Sequence, residues 1–265
     1  MHAPTSRPLR GATIFVTRPR RRAAELARRL RDLGARVVCT PLIRVAPPAS
    51  WRRLDEALRS LEAYDAVVFT SANGVASFFD RAATVLRGRP RRPGRLYAIG
   101  PATARELARR GWRGVRVPER HEGAALARSL GAVAGRRILL PRAAVARELL
   151  PRALRRAGAR VDVVHAYRTV SDLAGRRILA RALRRGGADL VTFTSASTVE
   201  EFFASAGRAH ARRFLRGRAA SIGPVTGRAL RSRGAPPVVE ARTSTAAGLA
   251  AAIARWSRSR APRAP

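Results

Sequence analysis

The chain has 265 residues, with 54 Lys+Arg against 17 Asp+Glu and a formal net charge of +37. Its single cysteine, Cys39, excludes an intramolecular disulfide and points to a reducing cytoplasm, while the lack of any run of about 18 apolar residues argues against a signal segment and a membrane span. Every basic residue is arginine, as a GC-biased coding sequence produces, and the arginines are dispersed among few aromatics; that argues against a base-stacking nucleic-acid surface and for an anionic small ligand.

In chain order, "ATIFVT" (12–17) reads as a buried strand. Pro19 opens a helix in which Leu26, Leu30 and Leu33 form an apolar stripe, and Gly34 closes it. "ARVVCT" (35–40) is the next strand, followed by the extended connector "TPLIRVAPP" (40–48). "DAVVFTS" (65–71) is a strand ending in a hydroxyl-bearing turn, "RGRPRRPGR" (87–95) a surface loop, and "RLYAIG" (95–100) a strand before the helix "PATARELARRG" (101–111). Then the pattern returns. Residues 135–161 match 11–37 at an offset of 124, "DLVTFTS" (189–195) matches 65–71 at 124, and "SIGPVTGRALRSRG" (221–234) matches 98–111 at 123. "VVHAYRTVSD" (163–172) stands at the point equivalent to 40–48, and both stretches read as crossings between domains. Residues 1–10 and 256–265 read as frayed basic tails. Segments in one register at a domain-sized period predict two related α/β domains, each a parallel sheet with helices on both faces.

Ligands of such sheets bind beyond the carboxyl ends of the strands. Those ends carry Thr17-Arg18, Thr70-Ser71-Ala72-Asn73, Gly100-Pro101-Ala102-Thr103, Pro141-Arg142, Thr194-Ser195-Ala196-Ser197 and Gly223-Pro224-Val225-Thr226. Most precede or open a helix, where free N–H groups and the helix dipole favour an anion. Each hydroxyl taken alone is equally well an N-cap; the whole set points to a ligand. Arg18 and Arg142 stand at matching ends and are candidates to take a carboxylate bidentately, against the plainer reading of solvated arginines. His2, His121, His165 and His210 match no triad or metal spacing, Asp65 and Asp189 precede strands at the wrong end of the sheet, and Cys39 reads as a packed thiol. Nucleotide-binding glycine motifs are absent. The chemistry on offer is positioning and backbone hydrogen bonding.

The series "VTRP" (16–19), "FTSANGV" (69–75), "AIGPATA" (98–104), "VVHAYRT" (163–169), "FTSASTV" (193–199) and "SIGPVTG" (221–227) resembles the uroporphyrinogen-III synthase family over about residues 10–250. The resemblance implies two similar parallel-sheet α/β domains from an internal duplication, joined by a two-stranded linker, with a ligand cleft between them. It implies domain 1 at 1–40 and 171–265, domain 2 at 44–166, and linkers at 41–43 and 167–170, the two "FTS" turns facing one another across the cleft. The implied substrate is hydroxymethylbilane, a linear tetrapyrrole octacarboxylate. The implied reaction is a hydro-lyase step of tetrapyrrole and heme biosynthesis: loss of water, ring closure and inversion of ring D through a spiro intermediate. Such work rests on proximity and orientation, and the expectation is no cofactor and no metal. Tyr167 matches the family's functional tyrosine and is implied as catalytic, assisting departure of the hydroxyl group. Ser71, Ser195 and Ser197 match the "FTS" turns and Thr103 and Thr226 the "IGP" turns; with Arg18 and Arg142 they make the expected substrate-binding set. His121-Glu122 stand where relatives carry small hydroxyl residues, so no contact is carried over to that loop. A cytoplasmic monomer is expected, with no specific nucleic acid and no membrane partner. The competing readings are a non-catalytic sensor or regulatory domain of the same fold and an arginine-rich nucleic-acid binder.

Overall fold

The computed structural model describes residues 7–260 apart from 87, 89, 121 and 147. In chain order the first elements are β1 (Thr13–Val16), α1 (Arg20–Asp32), β2 (Arg36–Cys39), β3 (Ile43–Ala46), α2 (Arg52–Arg59), β4 (Ala66–Phe69), α3 (Ala72–Val85), β5 (Arg95–Ala98), α4 (Pro101–Arg109) and α5 (Gly123–Ser129). There follow β6 (Arg137–Ala143), α6 (Leu149–Arg156), β7 (Arg160–Ser171), α7 (Leu173–Arg184), β8 (Leu190–Phe193), α8 (Ala196–Ala206), α9 (Arg208–Leu215), β9 (Ala219–Ser221), α10 (Pro224–Ser232), β10 (Val239–Glu240) and α11 (Ala246–Arg260). They form two compact units. The first unit comprises the chain up to Arg44 together with the chain from Val170 onward; the second is Val45–Thr169.

The first unit is built on a sheet of order β10-β9-β8-β1-β2, with every neighbouring pair parallel. Parallel strands are covered on both faces and need apolar side chains on both. Here Ile14 and Val16 pack with Leu26, Leu30, Leu249 and Ile253 on one side, while Phe15, Val191 and Phe193 pack with Phe202, Leu215 and Leu230 on the other. Full burial of each such side chain contributes about 1.5–3 kcal/mol relative to exposure.

The second unit has the order β3-β7-β6-β4-β5, with β6–β7, β4–β6 and β4–β5 parallel. Val67, Phe69 and Leu139 face one layer; Val68, Ile138 and Leu140 face the other. In the first of these layers Trp112 meets Phe69, Phe78 and Phe79 at centroid distances of 6.4, 5.7 and 4.8 Å. Residues 167–170 lie within β7, and β3 and β7 are neighbours in this sheet.

The duplication shows as shared roles at one offset. Asp189 Oδ2 accepts the Thr13 N–H at 2.7 Å, and Asp65 Oδ2 accepts the Arg137 N–H at 2.8 Å, at positions related by 124 residues in each case. The two aspartates thus brace the amino ends of their sheets. Each sheet draws on both copies of the repeat: β1 and β2 of the first copy lie with β8 and β9 of the second, and β6 and β7 of the second lie with β4 and β5 of the first.

Two expectations need correction. The tails are ordered where described: Leu9 is buried, its N–H donates to the Leu33 carbonyl at 3.0 Å, and α11 continues through 256–260. Residues 1–6 and 261–265 lie outside the described residues. The 87–95 stretch is also more than a surface loop, since the Pro90 carbonyl accepts from buried Trp112 Nε1 at 3.3 Å; Arg87 and Arg89 lie outside the described residues.

Candidate functional site

In the second unit the expected residues gather at the carboxyl edge of the sheet. Ser71 follows β4 and caps α3, its Oγ accepting the Gly74 N–H at 2.9 Å. That same Oγ lies 3.0 Å from the Tyr167 hydroxyl, a contact spanning 96 residues of sequence. Tyr167 is 7% exposed. It pairs with Ala143 at a register shift between β6 and β7, and its carbonyl accepts the Ala144 N–H at 2.8 Å. Arg142, near the end of β6, is buried and forms an ion pair with half-exposed Glu148. The guanidinium and its hydrogen bond hold the Glu148 carboxyl below the usual carboxylate range. Arg142 is therefore engaged by a carboxylate of its own chain, a partner that sequence reasoning missed because it approaches through the fold beyond the strand end.

Thr103 sits in the first turn of α4, after β5, behind a Gly-Pro start that leaves early N–H groups without side-chain capping. The first unit repeats this at its own carboxyl edge: Thr226 sits in the first turn of α10, after β9, again behind Gly-Pro. These two threonines are 4% and 3% exposed, and among the described residues neither hydroxyl has a hydrogen-bond partner. Neither hydroxyl oxygen is itself shut off from solvent, unlike Thr40 Oγ1 just after β2, which is buried and has no partner among the described residues. Two other hydroxyls at this edge are satisfied internally. Thr17 Oγ1 donates to the Thr192 carbonyl at 2.7 Å, so its place at a strand end reflects sheet bracing. Ser195 caps α8 by accepting the Thr198 N–H at 3.3 Å, while Ser197, the second residue of the same helix, is exposed.

Arg18 follows β1 and is half-buried; among the described residues it makes no hydrogen bond or ion pair. Burial, with positive Arg22 adding to it and Glu25 opposing, lowers its pKa from the ordinary arginine value. A desolvated guanidinium of this kind is an attractive place for a carboxylate. Arg18, Ser195, Ser197 and Thr226 thus share the edge of one sheet, and Ser71, Thr103, Arg142 and Tyr167 that of the other. Among the described residues no group of three His, Cys, Asp or Glu side chains is placed to hold a metal ion, and no helix is long and apolar enough to cross a membrane. His2 and His121 lie outside the described residues.

Comparison with known proteins places this geometry. The family model described as uroporphyrinogen-III synthase HemD matches residues 24–251. A uroporphyrinogen-III synthase from Synechococcus elongatus is 33% identical, over 95% of this chain and 97% of that protein. The folds of a mutant uroporphyrinogen III synthase from Thermus thermophilus (TM-score 0.66, 24% identity, 94% and 100% coverage) and of a Helicobacter pylori uroporphyrinogen-III synthetase (TM-score 0.58, 18% identity, 90% and 96% coverage) are similar. The strand-end hydroxyls, the duplicated Gly-Pro-x-Thr turns and the buried tyrosine are arranged on a chain that belongs to the uroporphyrinogen-III synthase family.

Proposed function

We propose that the chain closes hydroxymethylbilane to uroporphyrinogen III with loss of water and inversion of ring D, and that it does so chiefly by holding the bilane in the conformation that reverses that ring. The observation that carries this reading is the matched pair Thr103 and Thr226: largely buried threonines whose hydroxyls have no internal partner among the described residues, each in a helix first turn at the carboxyl edge of its sheet. Together with the early N–H groups of α4 and α10, they suit the side-chain carboxylates of an octacarboxylate. Arg18 supplies a desolvated positive charge of the same purpose.

Tyr167 is the proposed catalytic side chain, donating the proton that lets the hydroxymethyl oxygen leave as water. The expectation of no cofactor and no metal belongs to the same proposal. So does a cytoplasmic monomer that has no specific nucleic-acid partner.

The test is the isomer ratio. Purified protein incubated with hydroxymethylbilane should give type III uroporphyrin after oxidation, above the type I background of spontaneous closure. Tyr167→Phe, which keeps the ring's packing, should slow type III formation substantially. Folded wild-type protein that yields type I alone would remove the enzymatic reading; a Tyr167→Phe variant as fast as wild type would return Tyr167 to a packing role.

A further inference from the structure

Strict alternation along β7 would put Val164 and Ala166 on one face of the sheet and Tyr167 on the other. Instead all three pack in one core cluster. The cause is a bulge: Arg142 pairs with His165 but Ala143 pairs with Tyr167, so Ala166 is the extra residue. The tyrosine is thereby turned onto the face that carries the start of α3, where Ser71 meets it at 3.0 Å.

A serine hydroxyl has one proton and two lone pairs. One lone pair of Ser71 takes the Gly74 N–H at 2.9 Å, which leaves its proton and its second lone pair to face the Tyr167 hydroxyl, so that either oxygen is able to donate. Among the described residues the Tyr167 hydroxyl has no other hydrogen-bond partner. The duplicated copy is built differently. At the position of Gly74 it has Thr198, whose own hydroxyl donates to the Ser195 carbonyl at 2.7 Å. A methyl on Gly74 would lie 3.2 Å from both Ser71 Oγ and the Pro141 carbonyl oxygen and 3.9 Å from Tyr167 Cε1. At Gly74 the close approach of Pro141 and Ser71 leaves the second unit little room for the side chain that the first unit carries at Thr198.

We propose that Ser71 is a positioning residue that acts through Tyr167 rather than on the substrate, donating its proton to the tyrosine oxygen so that the tyrosine proton is turned outward. The inference rests on the reading of Tyr167 as the proton donor. In the step it serves, the C–O bond of the hydroxymethyl group breaks with its electron pair on oxygen. That oxygen takes the Tyr167 proton and leaves as water, and the lone pair of the pyrrole nitrogen supplies the methylene carbon. The phenolate left behind accepts from Ser71, whose oxygen in turn accepts the Gly74 N–H at the positive end of the 14-residue α3. The proton shed by the attacked pyrrole when the ring closes restores neutral Tyr167. The balance needs no outside reactant.

The experiment measures type III formation by the full chain and its variants. Ser71→Ala should lower kcat about 10- to 100-fold, the worth of a hydrogen bond to a charged group, with KM within about twofold. Ser71→Thr should recover most of the loss. Ser71→Asp keeps the helix cap but has no proton to give, and it should be as slow as Ser71→Ala. In a Tyr167→Phe background Ser71→Ala should cost less than about twofold, because its partner oxygen is already gone. An equal loss from Ser71→Ala in both backgrounds would make Ser71 an independent substrate ligand and overturn the proposal. Full kcat in Ser71→Asp would overturn it in favour of capping alone. A wild-type rate in Tyr167→Phe is a different result: it removes the donor itself, and the proposal with it.

Discussion

Alanine at position 74 would put a methyl group 3.2 Å from the Pro141 carbonyl oxygen and 3.2 Å from Ser71 Oγ. Pro141 belongs to β6 and is held in register with Val164, so the serine side chain and the start of α3 must yield. Misplacing a reacting group by about 1 Å costs about 100-fold. A displacement of about a third of that, falling on Ser71 and through it on Tyr167, should lower kcat about fivefold. Stability responds to two opposed terms. Alanine in a helix is favoured over glycine by about 1 kcal/mol, whereas crowding a packed site costs about 1–3 kcal/mol. The net loss of about 1 kcal/mol is small beside the roughly 5–15 kcal/mol that holds a domain folded. Gly74→Ala should therefore melt near wild type in urea yet make type III product slowly at saturating bilane. A variant with wild-type kcat would refute the reasoning, because it would show that the close approach of α3 to Pro141 and Tyr167 has no bearing on rate.

Two further predictions rest on the ionisable groups. Tyr64 donates to Asp162 at 2.8 Å, and burial, followed by that hydrogen bond and the negative charge of Asp162, pushes its pKa from 10.0 up to about 12. The folded state holds this proton more tightly than the unfolded state, so the stabilisation is complete below pH 10 and is lost as pH rises through about 12. The stability advantage of the chain over Tyr64→Phe should shrink by about 1–2 kcal/mol across that window. This is less than the roughly 2.7 kcal/mol of two full pKa units, because the Asp162 and Arg137 side chains are 44% exposed. Urea titrations at several alkaline pH values check it, and a pH-independent difference would count against it. Arg18→Met removes a half-buried cation without an ion pair among the described residues, so it should leave stability unchanged or raised while increasing KM for the bilane about tenfold. An unchanged KM would place Arg18 outside the substrate's reach.

The strands and their carboxyl ends were legible because a buried parallel strand needs apolar residues on both faces, and the chain writes such runs twice at one offset. Thr103 and Thr226 stand out in that pattern for the same reason. What the offset hides is where the two copies differ. The bulge at Ala166 has no signature in "VVHAYRTVSD", whose β-branched residues read as extended whichever way Tyr167 points. The Arg142–Glu148 pair was missed because a strand-end arginine looks free until the following segment folds back onto it. Thr17 reads like Thr103, yet its hydroxyl is consumed by the neighbouring strand. The terminal segments looked like tails because "WSRSR" is polar. Its helix is secured by contacts remote in sequence: Ser257 Oγ donates to the Pro8 carbonyl at 2.6 Å, and Trp256 packs on the core.

The interleaving of the two copies also sets an order of assembly on the ribosome. β1 lies between β2 and β8, and its register pairs Ile14 with Leu190. At roughly 5–20 residues per second, synthesis of the intervening chain takes on the order of ten to thirty seconds. Through that interval Ile14, Phe15 and Val16 have left the exit tunnel with one edge of their strand unpaired. The stretch Val45–Thr169 waits less, since the strands of its sheet have emerged before β8 does. The nascent chain thus carries a finished globule with a sticky amino-terminal strand pair trailing from it, and an open strand edge of this kind is a template for wrong pairing. Whatever shields that strand pair until β8 arrives, a chaperone or the finished globule itself, governs how much of the newly made chain reaches its native state.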